Sequence, residues 1–332
     1  MNEKAYRLWL AENLGLGIPF SQLCSRLPSP HQTQSQTWQK EWLDHPIRKL
    51  HEQWRAQEET LSQVLTLMTQ AQWGKIPPEI PKVKKISAAC FLGDYYSQNR
   101  PILLDGLIQD WPVFRQWSPP YLRRRWGSLS MSCQRKDLVR PKNVRCPEKD
   151  AIVMPFSEVL HDFISDDVQG AFIVANNRLL QQTGFEGLIE GIEPLPSWMC
   201  GPNRLIQTHW WMGPSGTYTP WHHDSLNILF CQIWGHKRIR LVPATEWVWM
   251  QNQEGVFGKL PKEAGAKNAT PHVTEMVLEP GQALFLPVGW WHEVESLSPS
   301  LSVALTHFSF PNAFEWIDPT HCTFDRHSED SP

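Results

Sequence analysis

The stretch Thr219-Pro220-Trp221-His222-His223-Asp224, answered further along the chain by Trp290-Trp291-His292, decides how this sequence is read. Side chains alternate across an extended chain, so His222 and Asp224 share one face and His223 takes the other. Through Gly289–Leu297 the same alternation groups His292 with Val294 and Ser296 and turns Trp291, Glu293 and Glu295 away. Two imidazoles and one carboxylate can fill a triangular face of an octahedron. That is the facial triad of a non-haem Fe(II) oxygenase, with positions left open for co-substrate and O₂. In a chain with 13 histidines a His-x-Asp match is cheap on its own. Its surroundings carry the weight.

Between the ligand segments runs Ile228-Leu-Phe-Cys-Gln-Ile-Trp-Gly-His-Lys-Arg-Ile-Arg-Leu-Val242, rich in the β-branched and aromatic residues of strands. After Gly235 the alternation puts His236, Arg238 and Arg240 on one face and Lys237, Ile239 and Leu241 on the other. A lone inward lysine among aliphatics is costly without an anionic partner. A dicarboxylate whose other end chelates the metal would supply one; a lysine snorkelling from a strand end is the plainer alternative.

These segments, Gly213–Asp224, Gln232–Pro243, Glu279–Ser296 and Leu301–Phe308, resemble the JmjC-type, cupin-like 2-oxoglutarate dioxygenases. The similarity is nearest to protein hydroxylases related to the asparaginyl hydroxylase that inhibits hypoxia-inducible factor, and to bacterial cupin-like proteins. It covers roughly residues 86 to 312, because Arg100-Pro-Ile-Leu-Leu-Asp-Gly-Leu-Ile-Gln-Asp-Trp-Pro112 resembles the family's entry strand. The resemblance implies a double-stranded β-helix, a cupin or jelly-roll core with flanking helices, using Fe(II), 2-oxoglutarate and O₂ and releasing succinate and CO₂.

Carried over residue by residue, His222, Asp224 and His292 match the iron ligands. Thr219 and Lys237 match the pair that holds the distal carboxylate of the co-substrate. Asn227 lies one residue before a position where the asparaginyl hydroxylase has an asparagine on the co-substrate; Ile228 stands at that position here. His307 replaces a second such asparagine. Asn227 and His307 are therefore the expected contacts on the proximal side of the co-substrate.

Composition fits a chain able to bury a full core: 332 residues, 41% hydrophobic. A net charge of −3 gives no global reason to expect nucleic acid as a partner. No apolar run is long enough to cross a bilayer, and the start Met1-Asn-Glu-Lys lacks a signal-peptide core, which points to a cytoplasmic protein without a membrane partner. Seven scattered cysteines without Cys-x-x-Cys favour reduced thiols over a disulfide framework.

Tryptophan is abundant, with 18 copies. Most should fill the barrel and its flanking layer. Trp210, Trp221 and Trp247 flank the expected mouth and are candidates for a groove that takes an extended peptide. His209, on one face with Gln207, could line the same channel; a structural, hydrogen-bonded histidine is the alternative reading.

The chain reads as a helical N-terminal segment, 1–80, a catalytic domain, 81–318, with its iron-binding barrel core at 206–312, and a polar tail, 319–332. In the first, Pro28–Thr37 reads as a polar loop, and Ile47–Met68, free of Gly and Pro, carries apolar residues at helical spacing. Those helices could cap the barrel, bind a partner or pair two copies in a homodimer. In the second, Ile102–Asp105 and Ala171–Val174 read as strands, Pro119–Trp126 as a helix start and Phe156–Ile164 as a helix. Glu279-Pro-Gly-Gln282 reads as a type II turn, and Trp247–Thr274 as an irregular excursion. The function expected from the whole is hydroxylation of an aliphatic C–H on a protein or peptide side chain. A tRNA-base or small-molecule hydroxylase, an N-methyl-lysine demethylase, ranked lower for want of a zinc module, and a non-catalytic metal-binding cupin are the rivals.

Overall fold

The computed structural model describes residues 3–15, 20–45, 47–73, 79–135, 151–173, 178–199, 204–250, 256–260, 271–312 and 314. The chain divides into two compact units, Met1–Gln72 and Trp73–Pro332. Among the described residues the first holds four helices: α1 (Glu3–Gly15), α2 (Phe20–Cys24), α3 (Ser29–Asp44) and α4 (Ile47–Trp73). Leu10, Leu23, Leu27 and Trp38 form its core, with Tyr6, Trp9, Leu14 and Phe20 packed against them. The expected loop Pro28–Thr37 is thus helix from Ser29 onward. Its proline lies in the first turn, where no intrahelical N–H is needed, so it starts the helix rather than breaking it. The polar face that suggested a loop is the solvent side of a helix that buries Ser35 and Trp38.

Among the described residues the second unit is built on thirteen strands: β1 (Lys82–Val83), β2 (Ile102–Asp105), β3 (Ser130–Arg135), β4 (Ile152–Pro155), β5 (Ala171–Phe172), β6 (Thr208–Gly213), β7 (Tyr218–His222), β8 (Ile228–Trp234), β9 (Lys237–Val242), β10 (Thr274–Leu278), β11 (Gln282–Leu286), β12 (Trp291–Ser296) and β13 (Ser300–Leu305). They form a six-stranded sheet, β1-β2-β11-β8-β13-β6, a four-stranded sheet, β10-β9-β12-β7, and a small sheet, β4-β3-β5. Leu103, Phe230, Leu284 and Leu286 from the large sheet meet Ile239, Leu241 and Leu278 from the four-stranded one in a common interior. The other face of the large sheet packs a wider core around Phe91, Trp111, Trp126, Phe156 and Phe285. Two sheets with a filled interior and helices on one outer face are the expected double-stranded β-helix.

Local sequence explains the joints. Gly281 takes φ +89°, and the Gln282 N–H donates to Glu279 O at 3.1 Å, as the type II turn before β11 requires. Phe156–Ile164 is a helix with Phe156, Val159, Leu160 and Phe163 buried, the period-3.6 stripe of a helix lying on a core. The excursion expected at Trp247–Thr274 begins with a 3₁₀ turn, Ala244–Trp249; most of the rest lies outside the described residues.

Gly235 joins β8 to β9 at φ +67°, and a Cβ there would stand 2.0 Å from the Pro299 carbonyl oxygen. Neither the left-handed backbone nor the space admits a side chain. Gly235→Ala is therefore expected to destabilise the fold by about 2 kcal/mol or more, read as a lowered denaturant midpoint with metal absent. A midpoint equal to that of the parent would show that the Ser296–Ser300 turn yields freely.

Candidate metal centre

The register of β12 assembles the site. His292 pairs with His222 on one side and with Leu241 of β9 on the other; Val294 pairs with Thr219 and Ile239, and Ser296 with Lys237. Directly paired residues share a face, so His222, His292, Thr219, Ile239 and Lys237 all point to the barrel interior. Strict alternation would put Thr219 and His222, an odd number apart, on opposite faces. A bulge removes the conflict: three residues of β7 span two of β12 between these pairs, with Pro220 in the extra stretch.

His222, Asp224 and His292 offer donor atoms that all lie within 4.8 Å of one another, and His292 Nε2 stands 3.4 Å from Asp224 Oδ2. Both imidazoles are set for metal. His222 Nδ1 lies 2.8 Å from Pro220 O, and His292 Nδ1 3.0 Å from Trp290 O. A carbonyl can only accept, so each Nδ1 carries the proton and each Nε2 keeps its lone pair. Burial, then the neighbouring His222, hold the His292 pKa down to about 3, so this ring stays neutral as a ligand must. Two imidazoles that present Nε2 and a carboxylate beside them would suit Fe(II).

Asp224 follows β7, in a turn tied to the strand carrying His292. Gly289 N–H donates to Asp224 O at 3.1 Å, and Val288 N–H to Asn227 Oδ1 at 2.9 Å. Asn312 closes the loop from behind: its Oδ1 accepts from Asn227 N–H, and its Nδ2 donates to Asn227 O and Thr306 O. On the far side Asn99 donates to Val288 O and accepts from Trp290 Nε1. Asn227, an expected co-substrate contact, is engaged in this turn. Its amide oxygen is engaged by the Val288 turn, while Ile228 packs against the apolar interior.

Lys237 is 5% exposed and lies over two rings, Phe230 at 5.2 Å and Trp211 at 5.8 Å. Burial pushes its pKa down to about 7, since the rings only partly replace water. The outward cations of the same strand are matched: Arg240 pairs with Glu293, which also accepts from Tyr218 Oη at 2.6 Å, and Arg238 pairs with Glu295. Among the described residues no carboxylate pairs with Lys237 within the interior.

His307 is 1% exposed just past β13. Its Nδ1 is 3.5 Å from Gln207 O, and its Nε2 has no hydrogen-bond partner among the described residues. Burial lowers its pKa, as it does for His209, whose ring is felt by Asp224 and then by Arg178. His209 pairs with Ala304 and therefore shares the interior face.

Two of the tryptophans lie elsewhere than expected. Trp210 is in the main core, tilted against Trp117 at 4.9 Å. Trp221 is on the outer face of β7, buried with Val242, Met250 and Trp291 and covered by Arg240 at 5.5 Å. Neither offers a surface to a ligand; parity along each strand decides it. Trp247, 37% exposed on the 3₁₀ turn, stays open to solvent. The residue missed was Trp211, which alternation from His209 already turns inward.

Residues 87–312 match the family model described as a cupin-like domain, and the chain belongs to that family. It is 29% identical to lysine-specific demethylase 8 of Xenopus tropicalis over 68% of this chain and 52% of that protein. To lysine-specific demethylase JMJ30 of Arabidopsis thaliana it is 26% identical, over 68% of this chain and 54% of the other. To the human bifunctional peptidase and (3S)-lysyl hydroxylase JMJD7 it is 23% identical, over 69% of this chain and 84% of the other. The chain spans about half the length of the first two relatives.

The asparagine latch has a measurable consequence. Asn227→Ala removes the acceptor of the Val288 N–H and should weaken Fe(II) or Mn(II) binding by about tenfold or more, the usual cost of losing a group that orients ligands. His223→Ala, whose ring packs edge-on against Trp291 at 4.7 Å, should leave metal affinity close to that of the parent. Titration of metal into the apo protein checks both, and equal affinities for all three proteins would show that the latch does not set the site.

Proposed function

We propose that this cupin-like domain is an iron- and 2-oxoglutarate-dependent dioxygenase that oxidises a C–H bond on a side chain of a protein or peptide. The observation that carries the reading is the interior row on one strand. The metal ligand His292, the Thr219 pairing at Val294 and the Lys237 pairing at Ser296 follow each other two residues apart on one face. Four residues of strand span about 13 Å. Less the inward reach of the lysine, that leaves room for a short dicarboxylate, held at one end by metal and at the other by an ammonium.

When bound, Fe(II) with 2-oxoglutarate and O₂ supplies the oxidising power, one oxygen atom going to the substrate carbon and the other to succinate as CO₂ leaves. The chain's own groups do the rest. Lys237 supplies the charge that the distal carboxylate needs, and Thr219 a hydroxyl beside it. His222 and His292 hold the metal with tautomers fixed in advance. Trp211, Phe230 and the interior aliphatics keep water from the co-substrate side. His307 Nε2 and His209 face the proximal side as neutral groups able to donate or accept one hydrogen bond each.

For substrate class the relatives give the support. Those called lysine-specific demethylases and the one called a lysyl hydroxylase share lysine in their names. We take a lysine-bearing protein segment as the substrate. Relatives named lysine-specific demethylases support oxidation at an N-methyl carbon as well as at a chain carbon. Attack on an N-methyl carbon releases formaldehyde and a shorter side chain; attack on a chain carbon leaves a hydroxyl. The test is anaerobic loading with Fe(II) and 2-oxoglutarate, then O₂ admission over methylated and unmethylated lysine peptides. The mass of one added oxygen identifies hydroxylation, loss of a methylene with formaldehyde identifies demethylation, and no succinate with any peptide overturns the reading. No helix among the described residues is long and apolar enough to cross a membrane.

Asp224→Ala should abolish succinate formation. Lys237→Ala should raise the KM for 2-oxoglutarate by a factor corresponding to about 2–5 kcal/mol while metal affinity stays within twofold, roughly the spread of ordinary context effects. Because burial sets the Lys237 pKa at about 7, binding of the anion takes up a proton above that pH. Affinity for 2-oxoglutarate should therefore fall as pH rises past about 7, by up to about tenfold per unit. Without ligand the sign is opposite: the fold, which prefers the neutral amine, gains stability over the same rise. A flat pH profile of KM would show that Lys237 stays charged in the empty site.

A further inference from the structure

Helix α4 of the N-terminal unit is turned the wrong way round for a monomer. Among its described residues the buried one is Ser62, while Leu61, Val64, Leu67 and Met68 are 54%, 46%, 63% and 63% exposed. A surface helix normally buries its apolar stripe and shows its polar side. Here the buried position is a serine, and the apolar residues face solvent together with Gln57, Glu58, Thr60 and Gln63. A shallow groove lined by Ala56, Gln57, Thr60, Leu61 and Val64 runs along that stripe.

The helix sequence has a period. Ile47, Trp54, Leu61 and Met68 are seven residues apart in the sequence, and Leu50, Gln57, Val64 and Ala71 repeat at the same interval three residues later. A 3.5-residue repeat sustained through the 27 residues of the helix is the pattern of a seam that packs against another helix. A helix covered by a curved protein surface or a membrane has no need of it.

Charge then selects the partner and its direction. All charged residues of α4 lie in its first half, Arg48 to Glu59, and Thr60–Trp73 has none. Two copies laid parallel would set the charged half of each along the charged half of its mate. Laid antiparallel, with Leu61 of one copy against Val64 of the other, the charged half of each lies along the uncharged half of its mate. A helix of this length is about 40 Å by about 10 Å. Two such faces approach the roughly 1,000 Å² that a stable interface needs. We propose that α4 forms an antiparallel, twofold-symmetric interface between two copies of this chain, with Leu61, Val64 and Met68 at its centre.

The full chain should sediment as a dimer at micromolar concentration, with a mass that falls on dilution. Leu61→Glu and Val64→Lys should each be monomeric, with helicity and metal affinity equal to the parent, because both positions are solvent-facing within one copy. Mixing the two variants should restore a dimer, since antiparallel packing sets position 61 against position 64. Parallel packing would set each against itself, so a failure to recover the mixed dimer overturns the antiparallel arrangement. A parent chain that stays monomeric up to about 100 µM overturns the interface altogether. If that monomer co-floats with lipid vesicles, the stripe is assigned to a membrane surface instead.

Discussion

Everything at the metal centre depends on the antiparallel pairing of β12 between β7 and β9. One strand brings its neighbours' functional groups onto a single inward row: His222 beside His292, Thr219 beside Val294, Lys237 beside Ser296. The pairing is fixed by what lies on the other face. There Glu293 and Glu295 are matched to Arg240 and Arg238 across the β12–β9 ladder, and Trp291 packs with Trp221 and Val242. Slipping the strand by one residue would bring the glutamates inward and put the histidine in solvent. The outer charge ladder thus secures the inner register, and the inner row inherits its spacing.

The same alternation accounts for what could be read from the sequence and what could not. His222, Asp224, His292 and the inward Lys237 were legible because residue types and period agreed. The helices at 119–126 and 156–164 and the strand at 102–105 stand where the sequence is read to place them. Thr219 was a different case. Its identity came from resemblance, but its direction contradicts simple alternation, and only the bulge at Pro220 reconciles the two.

The misplaced groups share a cause. Trp210 and Trp221 stand next to the site in sequence and across a strand from it in space, because neighbours along a strand face opposite ways. The partners of Asn227, Val288 and Asn312, lie 61 and 85 residues away, where a single sequence gives no signal. The helical stretch at Pro28–Thr37 was hidden by its prolines, which mark loops in general and helix starts when they fall in the first turn.

Both rings of the candidate metal centre are oriented by carbonyls two residues upstream in the chain, Pro220 O for His222 and Trp290 O for His292. In many metal sites that task falls to a carboxylate or amide side chain, which a single substitution can delete. A backbone oxygen is present whatever residue carries it. The acceptors that orient the two imidazoles are therefore not themselves removed by point mutation: a substitution at 220 or 290 reaches either ring only by moving the chain. Drift can then rework the pocket walls and the substrate side, while the metal's immediate support passes unchanged from one variant to the next.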